Sequence, residues 1–349
     1  MGDLIKEGSE ISPPFLINYI TIGEGVFNMN MKASVIVGPQ KNEIANVPIP
    51  SISDEEVLIR IKVCGVCASE LHPWMEGSGK RPIFGHEPVG IIEQIGSRVQ
   101  GFRVGERVTG LIHKAFAQYA KVNYRLIVKV PDVLDDLEAL GEPLSCLMSG
   151  ADRTPVSPGD DVAVIGAGFM GLGFLQLMGL KGAGRIIAVD MREESLEHAK
   201  RFGADEIYTP HNVKSEYKVT EWGHMDQGIK GMDVSVEASG TQGGLQLAGE
   251  MTAVHGVLSV VGYHQGHGGL RHVNMELWNW KAISVINAHE RRNAVHIKQM
   301  EAGLKLIANK KFNMKDLITN VYSIDEVDKA YDAIKTKPAG FIKSVIKIY

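Results

Sequence analysis

The chain predicts an α/β protein in which a mostly β domain accompanies a doubly wound parallel sheet, and three observations carry that prediction. Between about residues 150 and 290, short Val/Ile-rich runs (DVAVIGAG, RIIAVD, VSVEASG, VLSVVG) alternate with helical stretches such as SLEHAKRFGA, the βαβ pattern of a parallel sheet. The first of those runs ends in Gly166, Gly168 and Gly171, spaced G-x-G-x-x-G, just where a helix should open. Ahead of this region, EEVLIRIKV, VGIIEQIG and RLIVKV are short apolar runs punctuated by Gly and Pro, which reads as an irregular β domain.

Taken in order, residues 1–30 form an extension of mixed character, and MKASVIV starts the first strand at residue 31. The β region follows to about 150 and the alternating region to about 290. From about 292 the tail offers a long helix, HIKQMEAGLKLIANKK, a second around IDEVDKAYDAIK, and a closing strand, FIKSVIKIY.

Composition limits the function classes. With 349 residues, 44% hydrophobic and 22% charged, the chain can build two packed domains. A net charge of -4 with both signs interspersed leaves no footprint for nucleic acid or an anionic membrane, so a small-molecule substrate is expected. Three cysteines, Cys64, Cys67 and Cys146, argue against a disulfide framework and for a reducing compartment. No apolar run reaches the roughly twenty residues of a membrane span, and MGDLIKEGSE lacks the layout of a secretory leader, so a cytoplasmic protein is expected.

Two segments concentrate the chemistry: GVCASELHPW at 65–74 and GHEPVG at 85–90. A thiolate, an imidazole and carboxylates this close together suit a divalent metal better than a core, and Cys67, His86 and Glu87 begin the candidate ligand set. In the glycine fingerprint, the first glycine permits a tight turn, the second lets the backbone approach a pyrophosphate, and the third lets helix and strand pack, with Phe169 and Met170 opening the helix toward the anion. Asp190 ends the next strand near the spacing of a carboxylate that holds an adenosine ribose, which favours NAD over NADP; the alternative is a helix cap in DMREES. Arg192 is the neighbour that softens this preference.

GVCASELH, GHEPVG, GEPLS and VIGAGFMG, in this order, resemble the zinc-dependent medium-chain dehydrogenases of the alcohol and polyol type, the sorbitol and threonine dehydrogenase branch in particular. The resemblance runs from about residue 31 to the C-terminus. It implies a GroES-like catalytic domain made by both ends of the chain, 31–148 and 292–349, with a Rossmann coenzyme domain, 149–291, between them. It further implies that Cys67 and His86 bind zinc, that Glu87 is a ligand or an exchangeable neighbour, and that Glu142 takes the remaining ligand position. Cys146 is the competitor of Glu142, since a thiolate also binds zinc well. Such a zinc ion can lower the pKa of an alcohol, with hydride passing to the nicotinamide. Ser69 and His72 match the positions of a relay carrying the alcohol proton to water; the alternative for His72 is a histidine packed beside Pro73 and Trp74.

The expected reaction is oxidation of a secondary alcohol, a sugar, polyol or cyclitol, to a ketone with NAD. A zinc-free quinone or enoyl reductase of the same fold and a non-catalytic nucleotide-binding protein are the alternatives. No cysteine-rich lobe separates VTG at 108–110 from AFAQYAKV at 115–122, so one catalytic zinc and no structural zinc are expected. A homodimer or homotetramer is expected from the resemblance. Glu70 stands where the family has aspartate. Cys64 reads as a small buried residue, and His264, His267 and His272 as members of a solvated loop. Trp74, Phe84, Asn287 and His289 are candidates for the substrate pocket, and Trp74 reads equally well as a packing residue.

Overall fold

The computed structural model describes residues 29–77 and 82–349. Of the N-terminal extension, residues 1–28 lie outside the described residues. A hairpin of β1 (Asn30–Gly38) and β2 (Lys41–Pro48) leads into β3 (Glu56–Gly65), then α1 (Leu71–Glu76), β4 (Glu87–Ile95), β5 (Arg107–Gly110), β6 (Tyr119–Asn123) and β7 (Ile127–Lys129). The helix α2 (Gly141–Arg153) carries the chain to β8 (Asp161–Ile165), α3 (Phe169–Leu180), β9 (Arg185–Val189), α4 (Glu193–Arg201), β10 (Glu206–Tyr208), α5 (Gly223–Asp226), β11 (Met232–Glu237), α6 (Gln242–Met251), β12 (Thr252–Val260), α7 (Met275–Lys281) and β13 (Ser284–Asn287). The chain closes with α8 (Asn293–Ala308), β14 (Asn320–Ser323), α9 (Val327–Thr336) and β15 (Ser344–Lys347).

Two sheets organise these elements. In the order β10-β9-β8-β11-β12-β13 every described pairing is parallel, so strand order reverses between β8 and β11 and leaves a crevice at their C-terminal ends. Buried on both faces, its central strands read as continuous apolar runs: Val162, Ala163, Val164 and Val236 are fully buried. The other sheet runs β14-β15-β3-β4-β5-β7 with β6 on β3, and it joins C-terminal β15 to the early strands. Trp74, Phe116 and Tyr331 fill its core, Trp74 stacking on Tyr331 with ring centres 5.1 Å apart.

Register in this second sheet builds a site. Gly65 at the end of β3 pairs with Glu87 on β4 and with Val345 on β15, so the chain two residues beyond Gly65 and two before Val345 is brought to the same corner as Glu87. Those residues are Cys67 and Lys343. A Cβ at position 65 would lie 2.0 Å from Glu87 Oε2, so glycine there leaves the Glu87 carboxylate its place. Thr109 ties the helix α2 to this corner: its hydroxyl donates to the Pro88 carbonyl at 2.8 Å and accepts from the Gly141 N–H at 2.9 Å.

Candidate metal centre and coenzyme cleft

Cys67, His86 and Glu87 offer a sulfur, an imidazole nitrogen and a carboxylate oxygen that all lie within 4.8 Å of one another. The thiolate precedes a single 3₁₀ turn, Ala68–Glu70, whose Ser69 hydroxyl donates to Cys67 Sγ at 3.1 Å. Glu70 turns inward from that turn. Its Oε1 accepts the Gly85 N–H at 2.9 Å and lies 2.8 Å from His86 Nδ1, while Oε2 accepts the Tyr331 hydroxyl at 3.0 Å. A carboxylate on Nδ1 leaves the other imidazole nitrogen for a metal and sets its tautomer. The glutamate at position 70 therefore reaches the ring despite its extra methylene.

Electrostatics around the donors are strained in the way a cation would relieve. Burial opposes charge on His86, but hydrogen bonds to Cys67 and Glu70 outweigh it and push its pKa up to about 12. Glu87 is 1% exposed, and its Oε2 makes no hydrogen bond, although the Lys343 ammonium sits 2.7 Å away as an ion pair. Lys343 is itself buried, donates to the Val66 carbonyl at 3.1 Å, and lies 4.6 Å from the centre of the Phe169 ring. A buried carboxylate beside a sulfur and an imidazole, its oxygen countered by a cationic ammonium, is a donor set that fits zinc.

Glu142 stands outside the set of three mutually close donors. It opens α2 with Cys146 one turn later, and Cys146 Sγ lies 3.6 Å from Glu142 Oε1, so both side chains face the same corner. Burial first, then the charge of Glu87, raises the Glu142 pKa to about 7. Burial and the Glu142 charge push the Cys146 thiol well up. Cys64 is fully buried, and burial raises its thiol too.

At the crevice, Gly166 has φ +100°, and α3 starts at Phe169 with Gly168 as its N-cap. A Cβ on Gly171 would lie 1.7 Å from the Gly166 carbonyl, whereas one on Gly168 would meet nothing within 4 Å, so the glycine turn is tight underneath and open above. Asp190 Oδ2 accepts the Ala167 N–H at 2.8 Å and Oδ1 the Arg192 N–H at 2.9 Å, which clamps the carboxylate beside the glycine turn. The N-cap of α4 is Arg192, so Asp190 is not that helix's cap. The Arg192 guanidinium lies 3.8 Å from Asp190 and donates to the Phe341 carbonyl at 3.4 Å. Met170 is half-buried and packs against the core.

Other candidates fall elsewhere. His72 is 55% exposed and sits 3.3 Å from Glu76. Trp74 belongs to the core, donating to Asp328 at 2.8 Å, and does not line a pocket. Phe84 packs against the same core, and Asn287 is exposed with its carbonyl accepting from Arg153. His289 is half-buried with its ring 5.8 Å from that of Tyr263. The expectation of a solvated histidine loop fails for His264, whose side chain is 13% exposed and 2.8 Å from buried Glu237. His272 is exposed, and the His267 side chain lies outside the described residues. Sequence reasoning missed the parts played by Glu70, Tyr331 and Lys343, and also His113, an exposed ring 6.4 Å from His86 in the short 111–114 turn.

A donor triad at the edge of a β domain, beside a dinucleotide-type crevice, defines a class: metal-assisted, nicotinamide-dependent oxidoreductases. Residues 53–132 match the alcohol dehydrogenase GroES-like domain and residues 170–309 the zinc-binding dehydrogenase domain. A sorbitol dehydrogenase of Bacillus subtilis is 29% identical over 339 residues, covering 87% of this chain and 93% of the relative. An alcohol dehydrogenase of Cupriavidus necator is 28% identical over 377 residues, covering 91% and 98%. An Escherichia coli oxidoreductase/dehydrogenase of unknown specificity has the same fold, with TM-score 0.81, 23% identity, and 92% and 100% of the two chains covered. The chain belongs to the zinc-dependent medium-chain alcohol and polyol dehydrogenases.

Proposed function

We propose that this enzyme oxidises a secondary alcohol of the sugar, polyol or cyclitol class to a ketone, with NAD as acceptor and one catalytic zinc held by Cys67, His86 and Glu142, with Glu87 as a ligand or exchangeable neighbour. The observation that carries this reading is the Cys67–His86–Glu87 convergence, in which a sulfur, an imidazole nitrogen and a buried carboxylate oxygen lie within 4.8 Å of one another. Zinc bound there would act as a Lewis acid on the alcohol hydroxyl, and NAD would accept the hydride. Glu70 holds the His86 ring through Nδ1, and Tyr331 holds Glu70. Lys343 balances the charge of Glu87. Ser69, 3.1 Å from the Cys67 sulfur, is placed to take the alcohol's proton, and His72 with Glu76 stands at the solvent end of the path.

Asp190 supports NAD over NADP, because its carboxylate would accept from ribose hydroxyls and repel a 2′-phosphate. Gly166, Gly168, Phe169, Met170, Gly171 and Arg192 complete this proposed coenzyme site. The division at 31–148 with 292–349 against 149–291, the homo-oligomeric state and the cytoplasmic location belong to the same reading; no helix among the described residues is long and apolar enough to cross a membrane.

The test is NAD reduction by zinc-loaded protein across a panel that pairs sugars, polyols and cyclitols with simple primary and secondary alcohols. Preference for the polyhydroxylated set is expected, since a site that hydrogen-bonds hydroxyls rejects analogues lacking them. Turnover of simple alcohols only would overturn the substrate class, and full activity in metal-free protein would overturn the zinc reading.

A further inference from the structure

Away from the metal donors, Glu237 is a fully buried carboxylate with partners on both oxygens. Glu237 ends β11 and is 0% exposed. Its Oε1 accepts from the Ser239 N–H at 2.8 Å, the Ser239 hydroxyl at 2.6 Å and the Gly240 N–H at 2.9 Å. Its Oε2 faces His264 Nε2 at 2.8 Å, and His264 Nδ1 in turn receives the Arg271 Nε–H at 2.9 Å. A guanidinium only donates, so Nδ1 must present a lone pair and Nε2 must carry the ring's proton. The imidazole is thereby neutral, in one tautomer, between a carboxylate and a guanidinium.

The same groups stitch together the segment that follows β12. Arg271 donates to the Gly266 and Leu270 carbonyls at 2.8 and 2.7 Å and to Gly240 at 3.2 Å. Gln242 on α6 exchanges two hydrogen bonds with the backbone of His272, at 2.6 and 2.9 Å. Gly262 starts the segment so close to Glu237 that a Cβ would lie 2.5 Å from Oε2. Between these anchors, Gln265 Nε2 reaches the Ser69 carbonyl, a long hydrogen bond at 3.5 Å. Ser69 lies two residues beyond Cys67. The C-terminal ends of β11, β12 and β13 border the second half of a dinucleotide crevice. The segment 263–271 therefore spans from that half of the crevice to the turn that carries the metal-site thiolate.

We propose that Glu237, His264 and Arg271 form a positioning relay that holds segment 263–271 against the Ser69 turn through Gln265, and so sets the gap in which the alcohol lies between coenzyme and metal donors. These are positioning residues; none is required to touch the reacting atoms. The proposal rests on the dehydrogenase reading above for its kinetic arm, while the segment's own protection is independent of any substrate.

His264→Gln provides the conservative control, because an amide donates from nitrogen and accepts at oxygen with the same polarity as the neutral ring. His264→Leu removes both bonds. In the zinc-loaded protein, H264Q is expected to keep kcat/KM for the alcohol within about threefold, while H264L loses about tenfold or more with the NADH dissociation constant, read by fluorescence, within about threefold. Amide exchange across 262–272 should speed up in H264L and not in H264Q. Gln265→Ala should lower kcat/KM as well, and its effect should not add to that of H264L, since both release one segment. Equal damage from H264Q and H264L, additive effects, or unchanged exchange in H264L would overturn the relay. Should H264L fail to fold, Arg271→Met puts the same questions without stranding Glu237. If the parent protein turns over no alcohol, the functional reading fails, and the exchange measurement alone decides whether the relay holds the segment.

Discussion

Replacing Lys343 by methionine keeps an unbranched apolar stem and removes the ammonium, with its ion pair to Glu87 and its hydrogen bond to the Val66 carbonyl. Lys343 and Glu87 side chains are 6% and 2% exposed and 2.7 Å apart, so solvent screens their interaction little. Removing one partner of a buried pair costs about 3–5 kcal/mol, because the other charge is left uncompensated. The Val66 carbonyl, which accepts from the Lys343 ammonium at 3.1 Å, adds about 1 kcal/mol. In metal-free protein K343M should feel the whole penalty. With a divalent cation beside Glu87 the carboxylate keeps an opposite charge, and the loss should shrink to roughly the 1 kcal/mol of the Val66 contact. The difference, about 3–5 kcal/mol, must reappear as tighter metal binding, roughly a hundredfold to a few thousandfold at about 1.36 kcal/mol per factor of ten. Zinc competition against a calibrated chelator, with thermal unfolding of metal-free and zinc-loaded K343M beside the parent, reads both sides of the cycle. An unchanged or weaker zinc affinity, or equal destabilisation of the two forms, would refute the argument that Lys343 stands in electrostatically for the cation at Glu87.

Two further outcomes follow from the site. Glu142 has its pKa raised from 4.5 to about 7 by burial and then by Glu87, so the folded state holds that proton longer and stability falls as pH rises from 4.5 to about 7. E142Q cannot ionise; in metal-free protein it should raise the unfolding temperature at about pH 8 and leave it little changed at about pH 5, and an equal shift at both would sink the assignment. Asp190→Ala should weaken NADH binding about tenfold, the loss of charged hydrogen bonds to the ribose, while NADPH binding holds or improves. Fluorescence titration with both coenzymes checks this, and an equal loss for the two would remove Asp190 from the ribose.

The candidate donor triad could be read from the chain because its members are near one another in it. Cys67 and the His86–Glu87 pair occupy two short motifs, and the residue types themselves carry the chemistry. The glycine turn was legible for the same reason, since strand, turn and helix are consecutive and Gly171 has one steric answer. The partners of these groups were not legible. Lys343 lies in the apolar run FIKSVIKIY, where nothing local distinguishes a buried counter-ion from a surface lysine; the pairing of β15 with β3 opposite β4 is what delivers it to Glu87.

For Trp74 the sequence left pocket wall and packing residue equally open, and Asp328 and Tyr331, from the far end of the chain, claim it for the core. His264 looked solvated until Glu237 and Arg271 closed on its two nitrogens. By itself the sequence determined the two kinds of sheet, the donor triad and the dinucleotide turn, all properties of consecutive residues obeying local periodicity and backbone sterics. Only the tertiary structure decided which charges are buried together, which histidine tautomer is held and which aromatic is core, because low-dielectric pairing depends on neighbours that the fold supplies, from 7 and 27 residues away at His264 and from more than two hundred at Trp74, Glu70 and Lys343.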